Sequence, residues 1–330
     1  MSLGPSVPRG VDLLVFSPHL DDAACSCGGR IAAAVRAGAR VVVVTPFAGS
    51  PAAEGRRAGG TLSPFASMSS RREEDRRAMD RLGVVPLWMD IEEAIGRSPR
   101  YRSFLALFGR IRRSDTALLV ELQADLERLC RASPGAELVF PLGVGGHVDH
   151  RILFEVSRRM MRAPAVAGRV SYFEEIPYSF VPSMVEHRLA QVKARVASPN
   201  LPADLAARES ILRVSRRALE GILTVPVIRD SVRPPQDAIL RVLLMARIAG
   251  QRARGGSGRS SRGGVLELRP DPVDVTDCAS VKAQAIACYG SQLPALFGDA
   301  AAWRRAALTY SSLLGAGPGR LIERYWRPAT

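Results

Sequence analysis

Short apolar segments rich in β-branched residues alternate with helical patterns between residues 11 and 174. The apolar segments cover residues 11–17, 40–45, 84–90, 137–141 and 169–174. Runs without polar alternation are typical of parallel strands that are buried on both faces. Right-handed crossover helices then cover both faces of such a sheet. The sequence therefore predicts an α/β protein with a Rossmann-like, mostly parallel sheet and helices on both faces.

The second half of the chain has a less regular pattern. Helices are predicted near residues 184–196, 204–223 and 237–249, and residues 251–264 contain mainly Gly, Ser and Arg. Such a composition is typical of a flexible loop. Residues 1–180 are expected to form the α/β core. Residues 181–330 are expected to complete the same domain with helical and strand elements that shape the pocket.

Length and composition limit the class of protein. With 330 residues and 47% hydrophobic residues, the chain can bury a large core. It contains no apolar run of about 18 residues, so no membrane span is predicted. The five cysteines are scattered without a C-x-x-C pair, which indicates reduced thiols, and Cys25 and Cys27 are expected to pack in the core. The first strand leads directly into a polar motif that a signal-peptide cleavage would destroy, so we expect a cytoplasmic protein.

The formal net charge of +14 raises the hypothesis of a nucleic-acid partner. Lys193 and Lys282 are the only lysines, and the arginines are spread along the whole chain instead of forming one stripe. This distribution does not favour nucleic-acid binding as the main function. Attraction of an anionic substrate agrees better with it.

Two polar motifs follow two of the predicted strands. Residues 17–22 (SPHLDD) come directly after the first strand, and residues 145–150 (GGHVDH) follow the strand at 137–141. The carboxyl ends of parallel strands lie at one edge of a sheet, where ligands bind in open α/β folds. These two motifs contain three of the four histidines in the chain. We therefore expect both loops to meet in one site.

The residue types in these motifs suit a catalytic metal. Imidazole and carboxylate groups are typical zinc ligands, and a catalytic zinc keeps three of them with one open position. His19, Asp22 and His150 would supply such a set for Zn²⁺ or another divalent metal. Asp21 is then placed to take a proton from the attacking water, and His147 to contact the carbonyl oxygen or the departing amine.

Asp149 could accept a hydrogen bond from one of the imidazoles and fix its tautomer. Each motif has a plainer interpretation, since Asp after a strand often caps a helix and loop histidines are common. A metal-free binding or regulatory module and a basic nucleic-acid binder are the alternative functions. Neither explains why the histidines cluster.

At these residues the chain resembles the PIG-L/LmbE-like deacetylases, whose first motif is usually P-H-P-D-D and whose second is H-x-D-H. The resemblance covers about residues 11–160. It implies zinc-dependent hydrolysis of an N-acetyl amide on a sugar-like small molecule. His19, Asp22 and His150 match the family's ligands, Asp21 its base and His147 its oxyanion-stabilising or acid group.

The resemblance extends to Arg71, which matches a position that contacts substrate in some members. Leu20 stands where the family usually has Pro, and Ala23 where it usually has an acidic residue. These departures indicate a distinct subfamily. Three later residues are candidates for lining the pocket or, equally, for strand ends and helix surfaces: Glu175, Tyr178 and Gln292.

Overall fold

The computed structural model describes residues 8–50, 67–163, 165–166, 168–180, 182–195 and 266–329. The strands are β1 Leu13–Phe16, β2 Val41–Thr45, β3 Val85–Trp88, β4 Glu137–Pro141, β5 Val170–Phe173, β6 Ala194–Arg195, β7 Leu266–Asp274 and β8 Ile322–Pro328. The helices are α1 Asp22–Arg36, α2 Met68–Leu82, α3 Ala94–Arg97, α4 Phe104–Leu107, α5 Thr116–Ala132, α6 Val148–Met160, α7 Pro182–Gln191, α8 Ala279–Ala287, α9 Leu293–Leu296 and α10 Ala300–Leu313. The helices predicted at 204–223 and 237–249 and the loop predicted at 251–264 lie outside the described residues.

The eight strands form one mixed sheet in the order β3-β2-β1-β4-β5-β8-β7-β6. The five strands from β3 to β5 are parallel, whereas β8 is antiparallel to both β5 and β7. This confirms the predicted mostly parallel α/β fold. The chain leaves β1 toward β2, and it later returns to add β4 on the other side of β1. The crevice between β1 and β4 is thus the topological switch point, where ligands bind in this class of fold.

Both faces of the central strands are buried, as their sequence predicts. On β1, Leu14 and Phe16 pack on the layer that contains α5 and α6. Leu13 and Val15 point to the opposite layer, which contains α1, α2 and α8. All four side chains are at most 4% exposed. Period-two alternation along a strand therefore supplies two hydrophobic layers from one continuous apolar segment.

Helix α2 begins at a serine cap. Its N-cap is Ser67, whose hydroxyl accepts a hydrogen bond from the Ser70 backbone N–H at 3.2 Å. Three serines in the same four residues can each cap a helix. The helix ends at Gly83, whose φ of 71° is the left-handed conformation that favours glycine at this position.

The C-terminal part of the chain packs directly on α1. The carboxylate of Glu323 accepts hydrogen bonds from the backbone N–H groups of Gly29 and Arg30 and from the Lys282 ammonium at 2.6 Å. Glu323 and Lys282 are both buried. Burying this ion pair is tolerated because the backbone and the ammonium satisfy the carboxylate. No helix in the described ranges is long and apolar enough to cross a membrane.

Gly29 allows the close approach between α1 and the segment before α8. A Cβ at this position would lie 2.5 Å from the Cβ of Val275 and 2.8 Å from Glu323 Oε1. Gly29→Ala is expected to lower the free energy of unfolding by about 1–3 kcal/mol through overpacking. This exceeds the gain of roughly 0.5–1 kcal/mol that alanine brings to a helix interior. Chemical denaturation measures the change.

Gly317→Ala is the matched control, because nothing lies within 4 Å of a Cβ at that position. It should leave the denaturation midpoint nearly unchanged. Equal midpoints for Gly29→Ala and the unsubstituted protein would contradict the close packing of α1.

Candidate metal centre and active site

The two polar motifs meet at the switch point. His19 lies in the loop after β1, and Asp22 is the first residue of α1. His147 is the N-cap of α6, and His150 lies in its first turn. Before His147 the backbone has a φ of 85° at three positions, which are Gly143, Gly145 and Gly146. Glycine adopts this conformation without steric cost, so the chain can turn from β4 into α6 within a few residues.

Three potential ligand atoms converge in the crevice. His150 Nε2 lies 3.2 Å from His19 Nδ1 and 3.3 Å from Asp22 Oδ2, and His19 Nδ1 lies 3.4 Å from the same carboxylate oxygen. The three side chains are at most 13% exposed. In a tetrahedral site with zinc–ligand distances of 2.0–2.2 Å, two ligand atoms are about 3.3–3.6 Å apart. The three atoms are therefore spaced to hold a small divalent cation.

Carboxylates behind the two imidazoles determine which nitrogen faces the crevice. His19 Nε2 contacts Asp149 Oδ2 at 3.2 Å, and His150 Nδ1 contacts Glu175 Oε1 at 3.2 Å. Asp149 and Glu175 are fully buried. As carboxylates they only accept hydrogen bonds, so these two nitrogens carry the protons. When the two imidazoles are neutral, as metal binding requires, the lone pairs of His19 Nδ1 and His150 Nε2 point toward Asp22, as in metal sites with supporting carboxylates.

Both supporting carboxylates have further partners. Asp149 Oδ1 accepts a hydrogen bond from the Arg97 guanidinium at 2.7 Å, and its Oδ2 accepts one from the Ala94 backbone N–H at 2.9 Å. Glu175 accepts hydrogen bonds from the backbone N–H groups of Gly143 and Val144. These contacts fix the carboxylates, and the carboxylates in turn fix the two imidazole rings.

The electrostatics of the cluster agree with a cation site. Burial by itself would lower the pKa of His150, but the carboxylate of Asp22 outweighs burial and raises that pKa to about 9. The pKa of His19 also lies well above its ordinary value, because hydrogen bonds to Asp149 and Asp22 outweigh burial. Burial would raise the pKa of Asp22, yet His150 and His19 hold it far below its usual range. The negative charge around these imidazoles thus favours a bound positive charge, which a proton or a metal ion can supply.

His147 completes a cluster of three histidines whose ligand atoms lie within 4.8 Å of one another. Its Nδ1 accepts a hydrogen bond from the Asp149 backbone N–H at 3.2 Å. A neutral imidazole has one N–H, so the remaining proton of His147 is on Nε2. Burial, with the neighbouring His19, lowers its pKa well below the ordinary value, which favours the neutral ring. His147 is therefore arranged as a hydrogen-bond donor, and Asp22 suits a third ligand better.

Asp21 is the N-cap of α1 and is half-buried beside the cluster. Burial and the adjacent Asp22 carboxylate raise the pKa of Asp21 to about 6, although Arg71 and His19 oppose the shift. The predicted base is thus close enough to the candidate metal ligands and to the buried Arg71 for their charges to act on it.

Arg71 lies on the face of α2 that packs against the site. Its guanidinium donates to Glu93 Oε1 at 2.6 Å and to Gln292 Oε1 at 3.3 Å. Only 5% of Arg71 is exposed. The residue predicted to contact substrate therefore also ties α2 to two other segments of the chain. Gln292, predicted as a possible pocket residue, is 2% exposed and contacts Arg71.

Two aromatic side chains extend the site beyond His147. The Phe108 ring lies edge-on to His147 with ring centroids 5.5 Å apart, and 6.4 Å from the ring of Tyr178. Tyr178 packs over Gly145, where a Cβ would lie 2.5 Å from the tyrosine ring. Both aromatic side chains are half-buried. They form a partly apolar wall next to the polar cluster.

Sequence reasoning missed the roles of Glu175, Arg97 and Glu93. The position of Glu175 in the sequence could have indicated its role, because it follows β5 at the same sheet edge as the two motifs. Glu93 and Arg97 lie at the two ends of the short helix α3, whose position depends on tertiary contacts. No motif in the sequence identifies them.

The fold and the site together define a Rossmann-like α/β enzyme with a candidate metal site of imidazoles and carboxylates at its switch point. A family model described as PIG-L, GlcNAc-PI de-N-acetylase, matches residues 14–161. The 2'-N-acetylparomamine deacetylase of Streptomyces fradiae is 31% identical over 203 residues, which are 60% of this chain and 68% of that protein. The chain belongs to the PIG-L family, and its relatives are deacetylases.

Solved structures extend the likeness of fold to nearly the whole chain. A deacetylase of the teicoplanin biosynthesis pathway has a TM-score of 0.60 and 21% identity, and the match covers 96% of this chain and 97% of that one. The A40926 pseudoaglycone deacetylase Dbv21 has a TM-score of 0.57 and 19% identity, with 98% and 100% covered. The resemblance to PIG-L/LmbE-like deacetylases that the motifs indicate is confirmed.

Proposed function

We propose that this enzyme removes an acetyl group from the nitrogen of an amino sugar within a larger conjugate, and that His19, Asp22 and His150 hold a divalent metal, Zn²⁺ by preference. The observation that carries the proposal is the convergence of three ligand atoms within 3.2–3.4 Å of one another. The carboxylates behind the two imidazoles support it, because they leave the lone pairs pointing into the crevice. A bound metal would supply a Lewis acid for the acyl carbonyl and make water more acidic.

Asp21, His147 and Asp149 have different roles in the proposed hydrolysis. Asp21 lies next to a proposed ligand, and we assign it the removal of a proton from the attacking water. His147 keeps its Nε2–H as a donor, because its Nδ1 already accepts from the Asp149 backbone N–H. We assign His147 a hydrogen bond to the developing oxyanion, and we assign Asp21 the return of the proton to the departing nitrogen as the carbon–nitrogen bond breaks. Asp149 acts indirectly, since its carboxylate holds His19 and its backbone N–H donates to the Nδ1 of His147.

The substrate class is proposed from the names of the relatives and from the lining of the site. The family description and the name of the Streptomyces fradiae protein both refer to N-acetylated amino sugars. Sugar hydroxyls need hydrogen-bond partners, because each unpaired buried group costs roughly 1–3 kcal/mol. Arg71 is proposed to contact substrate, and Phe108 and Tyr178 offer flat surfaces for the apolar face of a sugar ring.

Acetate release from a panel of N-acetyl compounds tests this proposal. We expect turnover of N-acetylglucosamine conjugates and of N-acetylated aminoglycosides, and little with free N-acetylglucosamine or acetyl-lysine peptides. The conjugate supplies binding energy that the free sugar lacks. A panel in which acetyl-lysine peptides react and every glycoside is inert would reject the sugar substrate and leave the metal chemistry intact.

A further inference from the structure

A buried tyrosine connects the catalytic loop to α2. The Tyr289 hydroxyl lies 2.8 Å from the Leu20 carbonyl oxygen and 2.7 Å from Asp75 Oδ1. The indole N–H of Trp88 donates to the other oxygen of Asp75 at 2.6 Å. Tyr289 is 2% exposed and Asp75 is fully buried. Leu20 stands between the proposed ligand His19 and the proposed base, so this contact reaches the centre of the first motif.

The number of protons constrains these hydrogen bonds. A tyrosine hydroxyl has one proton to donate, and a backbone carbonyl can only accept. An ionised Asp75 would also only accept, so one of the two short contacts of Tyr289 would then join two acceptors without a proton. A protonated Asp75 removes this conflict, because Asp75 donates to Tyr289 and Tyr289 donates to Leu20.

The surroundings of Asp75 favour its neutral form. Within the described part of the chain, its hydrogen bonds join it to Trp88 and Tyr289, which are uncharged. Burial raises the pKa of Asp75 to about 7, against the opposing effect of these two hydrogen bonds. The negative charge of Asp21 raises it further, and the positive charge of Arg71 lowers it.

We propose that Asp75 is a neutral carboxyl group that donates a hydrogen bond to Tyr289, and that Tyr289 thereby positions the Leu20 carbonyl and the loop that carries the proposed ligands and base. Consecutive hydrogen bonds strengthen one another in a buried environment when each group accepts from one neighbour and donates to the next. Asp75 and Tyr289 are positioning residues, because neither contacts the ligand cluster. The positioning role rests on the proposed function, whereas the protonation state of Asp75 does not.

Infrared spectroscopy tests the protonation state without any substrate. At about pH 6, below the pKa of about 7, the difference spectrum between the unsubstituted protein and Asp75→Asn should contain the carbonyl band of a protonated carboxylic acid. The asparagine variant should fold, because its amide can accept from Trp88 and donate to Tyr289 in the same arrangement. A carboxylate band in place of the acid band would overturn the proposal, whether or not the chain hydrolyses amides.

Kinetics test the positioning role. Tyr289→Phe and Asp75→Leu each remove two buried hydrogen bonds, and they share the loss of the one between Tyr289 and Asp75. Each should lower kcat about tenfold or more with little change in KM, since the loop moves without loss of a binding group. Asp75→Asn should keep kcat within about threefold, because it preserves both hydrogen bonds. If Tyr289→Phe does not accumulate as folded protein, Asp75→Leu alone tests the positioning role.

Tyr310→Phe is the matched control, because Tyr310 is another buried tyrosine whose hydroxyl donates to a carboxylate, that of Glu174. It lies in the hydrophobic cluster around α10. Both tyrosine variants should lower the unfolding temperature, but only Tyr289→Phe should lower kcat. Unchanged kcat in Tyr289→Phe and Asp75→Leu, or an Asp75→Asn variant as impaired as Asp75→Leu, would overturn the positioning role.

Discussion

Replacing His150 or Asp22 with alanine is expected to remove the bound metal and nearly all hydrolysis. Each substitution deletes one corner of a triangle of ligand atoms with sides of 3.2–3.4 Å. Metal assistance contributes several kcal/mol to stabilisation of the transition state, so the loss in kcat/KM should be about a thousandfold or more. Elemental analysis after dialysis, which should find about one divalent ion in the unsubstituted chain, measures the metal directly.

Two further variants make this experiment selective. His147→Ala should retain the metal, because the hydrogen bond from the Asp149 backbone N–H already occupies the Nδ1 of His147 and leaves its Nε2 protonated. His187→Ala removes the fourth histidine, which lies on α7 and contacts Gln191 on the same helix, and should change neither metal content nor activity. If His147→Ala loses the metal and Asp22→Ala keeps it, the three histidines are the ligands and the proposed set is wrong.

Asp21→Asn is expected to keep the metal and lose at least about a hundredfold in kcat, because an amide cannot take the proton from the attacking water. The amide has nearly the shape of the carboxylate, so the N-terminus of α1 should keep its geometry. Measuring kcat at constant metal content separates the loss of a base from the loss of a ligand. Full activity in this variant would assign the proton transfer to another group.

Asp80→Asn is the corresponding control on the surface. Asp80 lies on the exposed side of α2, where it pairs with Arg76 at 2.8 Å. An exposed pair of this kind contributes little to stability. The control should therefore retain both activity and metal, and a parallel loss in the two variants would indicate an effect of net charge instead of catalysis.

The order of the elements and the meeting of the two motifs were predictable from the sequence. Continuous apolar segments such as Val41–Thr45 can only be buried on both faces, which requires a sheet between two layers of helices. In such a sheet the ends of neighbouring parallel strands lie at one edge. His19 and His150 are 131 positions apart in the chain, and this topological rule alone is enough to predict that their loops meet at one edge of the sheet.

The partners that orient the site were not predictable in the same way. Glu175 supports His150 from the loop after β5, and Arg97 holds Asp149 from a helix of four residues. Each of these contacts depends on side-chain geometry across separate segments. No periodic pattern in the sequence predicts such a contact.

The sequence by itself determined the class of fold and the candidate ligands, because hydrophobic periodicity and the position of a motif relative to its strand are local properties of the chain. Only the tertiary structure decided which nitrogen of each imidazole faces the crevice, how deeply Arg71 is buried, and that Tyr289 reaches the Leu20 carbonyl. These features depend on packing between segments up to 269 residues apart. At that separation, the free energy of a contact depends on the whole arrangement of burial and hydrogen bonds, which no local pattern contains.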